Sequence, residues 1–158
     1  MPFQPSKIAD VAIYPLKKFC DERGWLAELF RQDELPEEYF PVMSYISFTK
    51  PGFQRGPHEH SEQADLFCFI GPSTFRIKLW DNRPGSSTYQ VETSLEAGEE
   101  GPMAILIPKG VVHAYLNIGK VDGMVINCPN RLYMGDGKQH PVDEIRHEDD
   151  PNTSYRMT

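Results

Sequence analysis

Residues 52–60 read Gly-Phe-Gln-Arg-Gly-Pro-His-Glu-His and carry two histidines, His58 and His60, two positions apart. Side chains at this spacing on a β-strand point to the same face. Residues 108–113, Pro-Lys-Gly-Val-Val-His, add His113 directly after a Pro-x-Gly turn. The chain between these stretches is long enough for several strands. We therefore expect the three imidazoles to converge inside one β-structure, where they bind a metal or move protons.

Short apolar runs separated by turn signals surround both histidine stretches. Residues 66–70 are continuously apolar, residues 74–80 alternate, and residues 81–87 form a turn rich in Asn, Pro, Gly and Ser. Further runs with strand character are residues 8–15, 25–30, 42–49, 89–95, 104–107, 114–118 and 124–127. Residues 32–40, rich in Glu, are predicted to form a short helix. Many short strands at near-regular spacing predict an all-β sandwich or barrel.

Composition narrows the class of protein. The 158 residues predict a single domain, 1–158. Its acidic C-terminal tail, at about 140–158, is expected to be a solvated segment that is partly helical or disordered. The net charge of −7 argues against non-specific binding of nucleic acid. Three widely spaced cysteines give no disulfide framework. With no apolar run of about 20 residues and no signal peptide, we expect a cytoplasmic protein without membrane contact.

The histidine stretches resemble the two sequence motifs of the cupin superfamily. The first motif is matched by Gly52, His58, His60, Asp65 and Gly71, and the second by Pro108, Gly110, His113 and Asn117. This resemblance implies a double-stranded jelly roll. It also implies a ligand set of His58, His60, Asp65 and His113 around a divalent ion such as Zn, Fe, Mn or Ni. The alternative is that these histidines serve without a metal, as acid–base or polar core residues.

A second resemblance covers more of the chain. Six segments, in order, are similar to the dTDP-4-dehydrorhamnose 3,5-epimerase family: Asp21-Glu22-Arg23-Gly24-Trp25-Leu26-Ala27-Glu28-Leu29-Phe30, Arg55-Gly56-Pro57-His58, residues 81–89, residues 108–115, Asn130-Arg131-Leu132-Tyr133 and Asp150-Pro151. The resemblance implies inversion at C3 and C5 of a nucleotide-linked 4-keto-6-deoxy sugar. No cofactor is implied. A homodimer that exchanges N-terminal strands is implied.

The same resemblance implies roles for particular residues. His58 would remove a proton next to the C4 ketone and Tyr133 would return one to the opposite face. The guanidinium groups of Arg23 and Arg55 would bind diphosphate or sugar. Glu28 would hydrogen-bond the base or the sugar.

His113 would line the pocket. It completes the set of substrate-binding residues that the resemblance implies.

Two departures from the family keep other functions open. The family has a lysine that stabilises the enolate oxygen where this chain has Asp65, and an anion there opposes catalysis unless a metal is bound. The family's carboxylate partner of the histidine base follows the Asp-Pro pair. With the chain ending at Thr158, we expect that partner to be absent and Asp65 or Glu28 to substitute. The alternatives are a metal-dependent cupin enzyme acting on another small substrate and a sugar-binding cupin without catalysis.

Overall fold

Strands account for most of the regular structure in the computed structural model, which describes residues 4–158. In chain order they are β1 (Gln4–Pro5), β2 (Ala12–Pro15), β3 (Phe19–Asp21), β4 (Gly24–Leu26), β5 (Tyr45–Thr49), β6 (Gln54–Glu59), β7 (Asp65–Phe69), β8 (Thr74–Asp81), β9 (Glu92–Gly98), β10 (Met103–Ile107), β11 (Val111–Asn117), β12 (Gly123–Asn127) and β13 (Ile145–Arg146). Short 3₁₀ helices span Gln32–Glu34, Glu37–Tyr39, Asp136–Lys138 and His147–Asp149. The prediction of an all-β protein is confirmed.

Two antiparallel sheets form a sandwich. One has the strand order β1-β2-β10-β7-β12-β5 and the other β13-β6-β11-β8-β9, while β3 and β4 form a separate hairpin. Neighbouring strands come from distant parts of the chain, as with β6 beside β11 and β7 beside β10. This topology brings the two histidine stretches into one sheet.

The main core lies between the two sheets. Its fully or nearly fully buried side chains are Ile8, Val11, Phe67, Phe69, Phe75, Ile77, Leu79, Ala97, Ile105, Ile107, Val111, Tyr115 and Val125. On β8 the alternation predicted from the sequence is observed, because Phe75, Ile77 and Leu79 point inward while the side chains between them do not. Burying these large apolar groups is the main favourable contribution to folding.

Strand β7 is buried on both faces, which explains its continuous apolar sequence. Phe67 and Phe69 enter the main core. Leu66 and Cys68 belong to a second cluster, which includes Leu35 from the segment that covers the outer face of the six-stranded sheet. The second cluster therefore fixes the position of residues 27–40.

The predicted helix over residues 32–40 is wrong. This segment contains two 3₁₀ turns, Gln32–Glu34 and Glu37–Tyr39, on either side of Leu35 and Pro36. Proline disfavours the helical conformation of the residue before it, and Leu35 is extended at φ −104° and ψ 143°. The extended conformation lets the Leu35 side chain enter the second cluster.

The C-terminal segment lies against the five-stranded sheet instead of standing free in solvent. Strand β13 pairs with β6. Further along, the Tyr155 ring packs 5.6 Å from the Trp80 ring, and Lys78 Nζ donates to the Arg156 carbonyl at 3.1 Å. Within residues 4–158, no helix is long and apolar enough to cross a membrane.

Candidate active site

The three predicted histidines meet at one end of the sandwich. His58 on β6 and His113 on β11 are register partners, and His60 directly follows the end of β6. The ring centroid of His58 lies 4.5 Å from that of His113 and 5.7 Å from that of His60. One ring nitrogen from each of the three lies within 4.8 Å of the others. The prediction that these imidazoles converge is confirmed.

Gly56 allows β6 and β11 to approach each other at this point. Its φ of +76° lies in the left-handed region. A Cβ at this position would lie 2.5 Å from the carbonyl oxygen of His113. The pairing of β6 with β11 shifts register just beyond His113. Glycine is therefore required where the two histidine strands are held together.

Asp65 lies behind the histidines, at the start of β7 in the opposite sheet, and is fully buried. Its Oδ2 is 3.0 Å from His60 Nε2 and 3.4 Å from His113 Nε2. Its Oδ1 accepts hydrogen bonds of 2.8 Å from Gln63 Nε2 and Asn127 Nδ2. Asp65 thus joins the two sheets beneath the imidazole cluster.

Backbone carbonyls orient two of the rings. His113 Nδ1 donates to the Val111 carbonyl at 3.0 Å. His60 Nδ1 contacts the Asp143 carbonyl. Because each Nδ1 faces a carbonyl acceptor, each Nε2 is directed toward Asp65. The Nε2 of His113 and the Oδ2 of Asp65 are buried and lack a partner with hydrogen-bond geometry despite their proximity.

Neighbouring side chains of the cluster differ in protonation state. Burial, reinforced by the nearby His113 and His60, lowers the pKa of His58 to about 2, so its imidazole is neutral. Burial by itself would lower the pKa of His60, but contact with the Asp65 carboxylate raises it to about 9. Burial opposes ionisation of Asp65, yet the adjacent imidazoles of His113 and His60 hold its pKa well below the usual range. The cluster thus combines a neutral imidazole with an adjoining ion pair.

A cavity of about 1160 Å³ opens in front of the cluster. His58 and His60 line it, whereas His113 and Asp65 lie behind the lining residues. Two aromatic side chains of the inner wall, Tyr45 and Tyr115, and four basic or phenolic groups, Arg55, Arg131, Lys138 and Tyr133, also line it. The sequence does not predict Arg131 or Lys138 as site residues, although Arg131 stands in the family-like segment Asn130-Arg131-Leu132-Tyr133.

Arg55 is held at the cavity by neighbouring strands. Its Nε donates to Thr49 Oγ1 at 3.0 Å and an Nη donates to the Phe48 carbonyl at 2.9 Å. Tyr133 lies on the loop after β12 and is about half exposed at the cavity. The structure therefore brings His58, Arg55 and Tyr133 to one cavity, as the sequence predicts.

Arg23 and Glu28 do not reach this cavity within a single chain. Arg23 lies in the turn between β3 and β4, where its side chain is 84% exposed and pairs with Asp21. Glu28 is exposed and lies 3.7 Å from Arg31. The two residues are therefore separated from the other predicted site residues.

Two glutamates that the sequence patterns do not predict lie next to His58. Glu144 Oε1 and Glu148 Oε1 lie 3.6 Å and 3.9 Å from His58 Nδ1. Both belong to the acidic segment that was expected to be solvated. The available sequence signal was the family resemblance, which extends past this segment to Asp150 and Pro151.

Comparison with known proteins identifies the family. A sequence profile described as dTDP-4-dehydrorhamnose 3,5-epimerase matches residues 5–149. The chain belongs to the dTDP-4-dehydrorhamnose 3,5-epimerase family. The spore coat polysaccharide biosynthesis protein SpsL of Bacillus subtilis is 34% identical over 152 residues, covering 94% of this chain and 99% of that protein. The probable low-salt glycan biosynthesis epimerase Agl13 of Haloferax volcanii is 38% identical over 128 residues, covering 80% and 81% of the two chains.

Solved structures of similar fold agree. A dTDP sugar isomerase from Desulfovibrio desulfuricans superposes with a TM-score of 0.79 at 19% identity, covering 96% of this chain and 90% of that one. A dTDP-6-deoxy-D-glucose-3,5-epimerase from Legionella pneumophila, solved with dTDP-4-keto-L-rhamnose, superposes at 0.77 with 22% identity, covering 92% and 76%. The predicted jelly roll is confirmed, and family membership makes the protein an enzyme of the sugar-nucleotide epimerase class.

Asp65, which stands where the family has a lysine, is accommodated away from the cavity. Asp65 does not face the cavity, because His60 and His113 lie between its carboxylate and the open space. The negative charge is therefore paired inside the protein instead of facing a bound sugar. His60, which lines the cavity, belongs to this pair.

Proposed function

We propose that this enzyme epimerises a nucleotide-linked 4-keto-6-deoxy sugar through an enolate, with His58 as the base and Tyr133 as the acid. The observation that carries the proposal is that both side chains line one cavity of about 1160 Å³, in a chain that belongs to this epimerase family. A cavity of this size that is lined by apolar groups and a few charged ones accommodates a small-molecule ligand.

The chemistry follows from the ketone. A C4 carbonyl acidifies the neighbouring C–H bonds, so a neutral imidazole can accept the proton and leave an enolate. His58 has the required neutral form. Tyr133 reaches the cavity from the loop after β12 and His58 from β6, so the phenol and the imidazole come from different elements. Proton removal on one face and return on the other inverts the carbon.

Arginines supply the expected charge for a diphosphate. Arg55 is fixed at the cavity by Thr49 and Phe48, and Arg131 lines the same space. Guanidinium groups bind phosphate oxygens through paired N–H donors. We propose dTDP as the nucleotide to test first, because the Legionella relative was solved with dTDP-4-keto-L-rhamnose.

We also propose that the enzyme is a cytoplasmic homodimer of polysaccharide biosynthesis. The hairpin that carries Arg23 exposes Phe19, Trp25 and Leu26 by half or more. Adjacent apolar side chains of this size are typical of surfaces that another protein covers. In a dimer that exchanges N-terminal strands, Arg23 and Glu28 act at the partner's cavity, which accounts for their distance from the cavity of their own chain.

Solvent-deuterium incorporation into dTDP-4-keto-6-deoxyglucose, measured by mass spectrometry, tests the proposal. We expect deuterium at C3, C5 or both with the native enzyme. His58→Ala and Tyr133→Phe should each reduce incorporation by about 10²-fold or more while the proteins remain folded. Absence of incorporation by the native enzyme, with or without added divalent metal, contradicts the assignment for this substrate.

A divalent metal is the second candidate, favoured by the chemistry of the donor set. His60 and His113 are anchored through Nδ1, and their Nε2 atoms approach one carboxylate oxygen of Asp65. Second-shell acceptors of this kind commonly orient metal-binding histidines. With His58, these residues would hold the ion, which would supply Lewis-acid polarisation of a ketone oxygen. Loss of deuterium incorporation after chelator treatment, restored by Zn, Mn, Fe or Ni, would support this candidate.

Binding without catalysis is a further outcome of the same experiment. A protein that binds dTDP, measured by calorimetry, but never incorporates deuterium would be a sugar-binding cupin. Neither the native protein nor His58→Ala would then show turnover. Arg55→Ala would still weaken the binding of dTDP, because the contact with the phosphate is lost.

A further inference from the structure

The acidic segment at residues 143–149 is firmly attached to the histidine strand. The Asp143 carboxylate accepts the backbone N–H groups of Ser61, Glu62 and Gln63 at 2.8, 2.8 and 2.9 Å. Strand β13 then pairs with β6, with Arg146 opposite His58. His147 Nε2 lies 2.7 Å from Glu59 Oε1, on the other side of the segment. These contacts make the acidic segment a wall of the cavity.

Two carboxylates of this segment face the same atom. His58 Nδ1 is buried and has no hydrogen-bond partner, while Glu144 Oε1 is 3.6 Å away and Glu148 Oε1 is 3.9 Å away. Arg146 lies between the two glutamates, 3.8 Å from Glu144 and 3.2 Å from Glu148. A small rotation of the ring or of either carboxylate brings Nδ1 into hydrogen-bond distance.

The other candidates for a partner of His58 are engaged elsewhere. Asp65 faces other groups beneath the cluster, because its Oδ1 accepts hydrogen bonds from Gln63 and Asn127 and its Oδ2 lies beside His60 and His113. Glu28 lies outside the cavity, beside Arg31. The expectation that Asp65 or Glu28 acts as the carboxylate partner of His58 is therefore not supported by the contacts.

We propose that Glu144, assisted by Glu148, is the positioning carboxylate of the catalytic base. Its oxygen accepts the Nδ1–H of His58, so that Nε2 remains unprotonated and can take the proton from the sugar carbon. A carboxylate that holds a histidine in one tautomer also stabilises the imidazolium that forms when the proton is transferred. The inference rests on the proposed function of His58 and gives the acidic segment its role.

Turnover measurements test the kinetic part of the proposal. Glu144→Ala should lower kcat about 10–10²-fold with little change in KM, and the double variant Glu144→Ala/Glu148→Ala should lower it about 10²–10³-fold. Added formate or acetate should restore part of the activity of the double variant, because a small carboxylate can occupy the space left at Nδ1. Asp149→Ala is the matched control, since this exposed carboxylate of the same segment faces Arg146 and should show neither the loss nor the rescue.

The tautomer of His58 provides a readout independent of the substrate. Nitrogen-15 NMR of the substrate-free protein should show His58 protonated at Nδ1 in the native chain and in Asp149→Ala. In the double variant we expect a shift toward the Nε2–H tautomer. Unchanged tautomer and unchanged kcat in the folded double variant would overturn the inference. A native chain that shows the Nδ1–H tautomer but no deuterium incorporation would refute the proposed substrate while supporting the contact.

Discussion

At the scale of single residues, the turn after β8 depends on the buried carboxylate of Asp81. Its oxygens accept hydrogen bonds from Arg83 Nε at 2.8 Å, Ser86 Oγ at 2.6 Å and Thr88 Oγ1 at 2.7 Å. Burial opposes ionisation of Asp81, but these donors hold its pKa below the usual range. The Asp81 carboxylate thus holds together the turn that the Pro, Gly and Ser residues of the sequence predict.

Asp81→Asn should destabilise the protein by about 2–3 kcal/mol at pH 7, because two neutral donors and a guanidinium lose their ionised acceptor. Since the folded-state pKa of Asp81 is depressed, its contribution is complete above the unfolded pKa of about 3.9 and is lost as pH falls further. Urea unfolding should therefore show a difference between native and variant that shrinks below about pH 4. Asp122→Asn, at an exposed carboxylate, is the control and should show no such difference.

At the scale of elements, the contact between β6 and β11 determines where the histidines lie. Gly52 and Gly56 both adopt positive φ, at +79° and +76°. Of these two glycines, Gly56 is the one at which an added Cβ would meet another strand, 2.5 Å from the carbonyl oxygen of His113. An added Cβ at Gly52 would have no neighbouring atom within 4 Å. Alanine variants at these two glycines therefore separate the effect of backbone strain on stability from the effect of the contact between β6 and β11.

Gly52→Ala should cost about 1 kcal/mol, from backbone strain alone. Gly56→Ala should cost about 2–4 kcal/mol, because β6 must also move away from β11. It should also reduce activity, since His58 moves with its strand. Thermal unfolding of both variants and turnover at a temperature where each is folded check this. Equal losses of stability in the two variants would contradict the importance of the strand contact.

At the scale of the whole molecule, one chain holds the predicted site residues in two separate places. His58, Arg55 and Tyr133 share a cavity, whereas Arg23 lies on an exposed hairpin. In the homodimer that we propose, each hairpin would serve the partner's cavity, which would unite the set. In a dimer with two-fold symmetry, both subunits contribute the same surface to the interface.

Subunit mixing tests this arrangement. His58→Ala and Arg23→Ala homodimers should each be nearly inactive, because every site lacks one of the two residues. If subunits are exchanged by mild denaturation and refolding, an equal mixture should recover about one quarter of native activity, since half the dimers then hold one intact site. Light scattering should report a dimer throughout. No recovery in a mixture that demonstrably forms heterodimers would place Arg23 outside the partner's site.

Local patterns in the sequence were sufficient for the fold class and for the centre of the site. The spacing of His58 and His60 predicted that the two rings lie on the same side, which holds although His60 follows the end of β6, and the turn before His113 directed that ring to the same region. The alternation on β8 and the continuous apolar run on β7 correctly indicated half-buried and fully buried strands. These features are predictable because they depend on periodicity along the chain, which the backbone geometry imposes locally.

The tertiary structure alone decided which groups surround those histidines. The Asp65 charge is enclosed beneath two imidazoles because β7 crosses behind them from the other sheet. Glu144 and Glu148 reach His58 because β13 pairs with β6 across more than eighty positions of the chain. The sequence by itself determined the jelly roll, the epimerase family and the three converging histidines. Their charges and partners depend on contacts between distant strands, and no local pattern records those contacts.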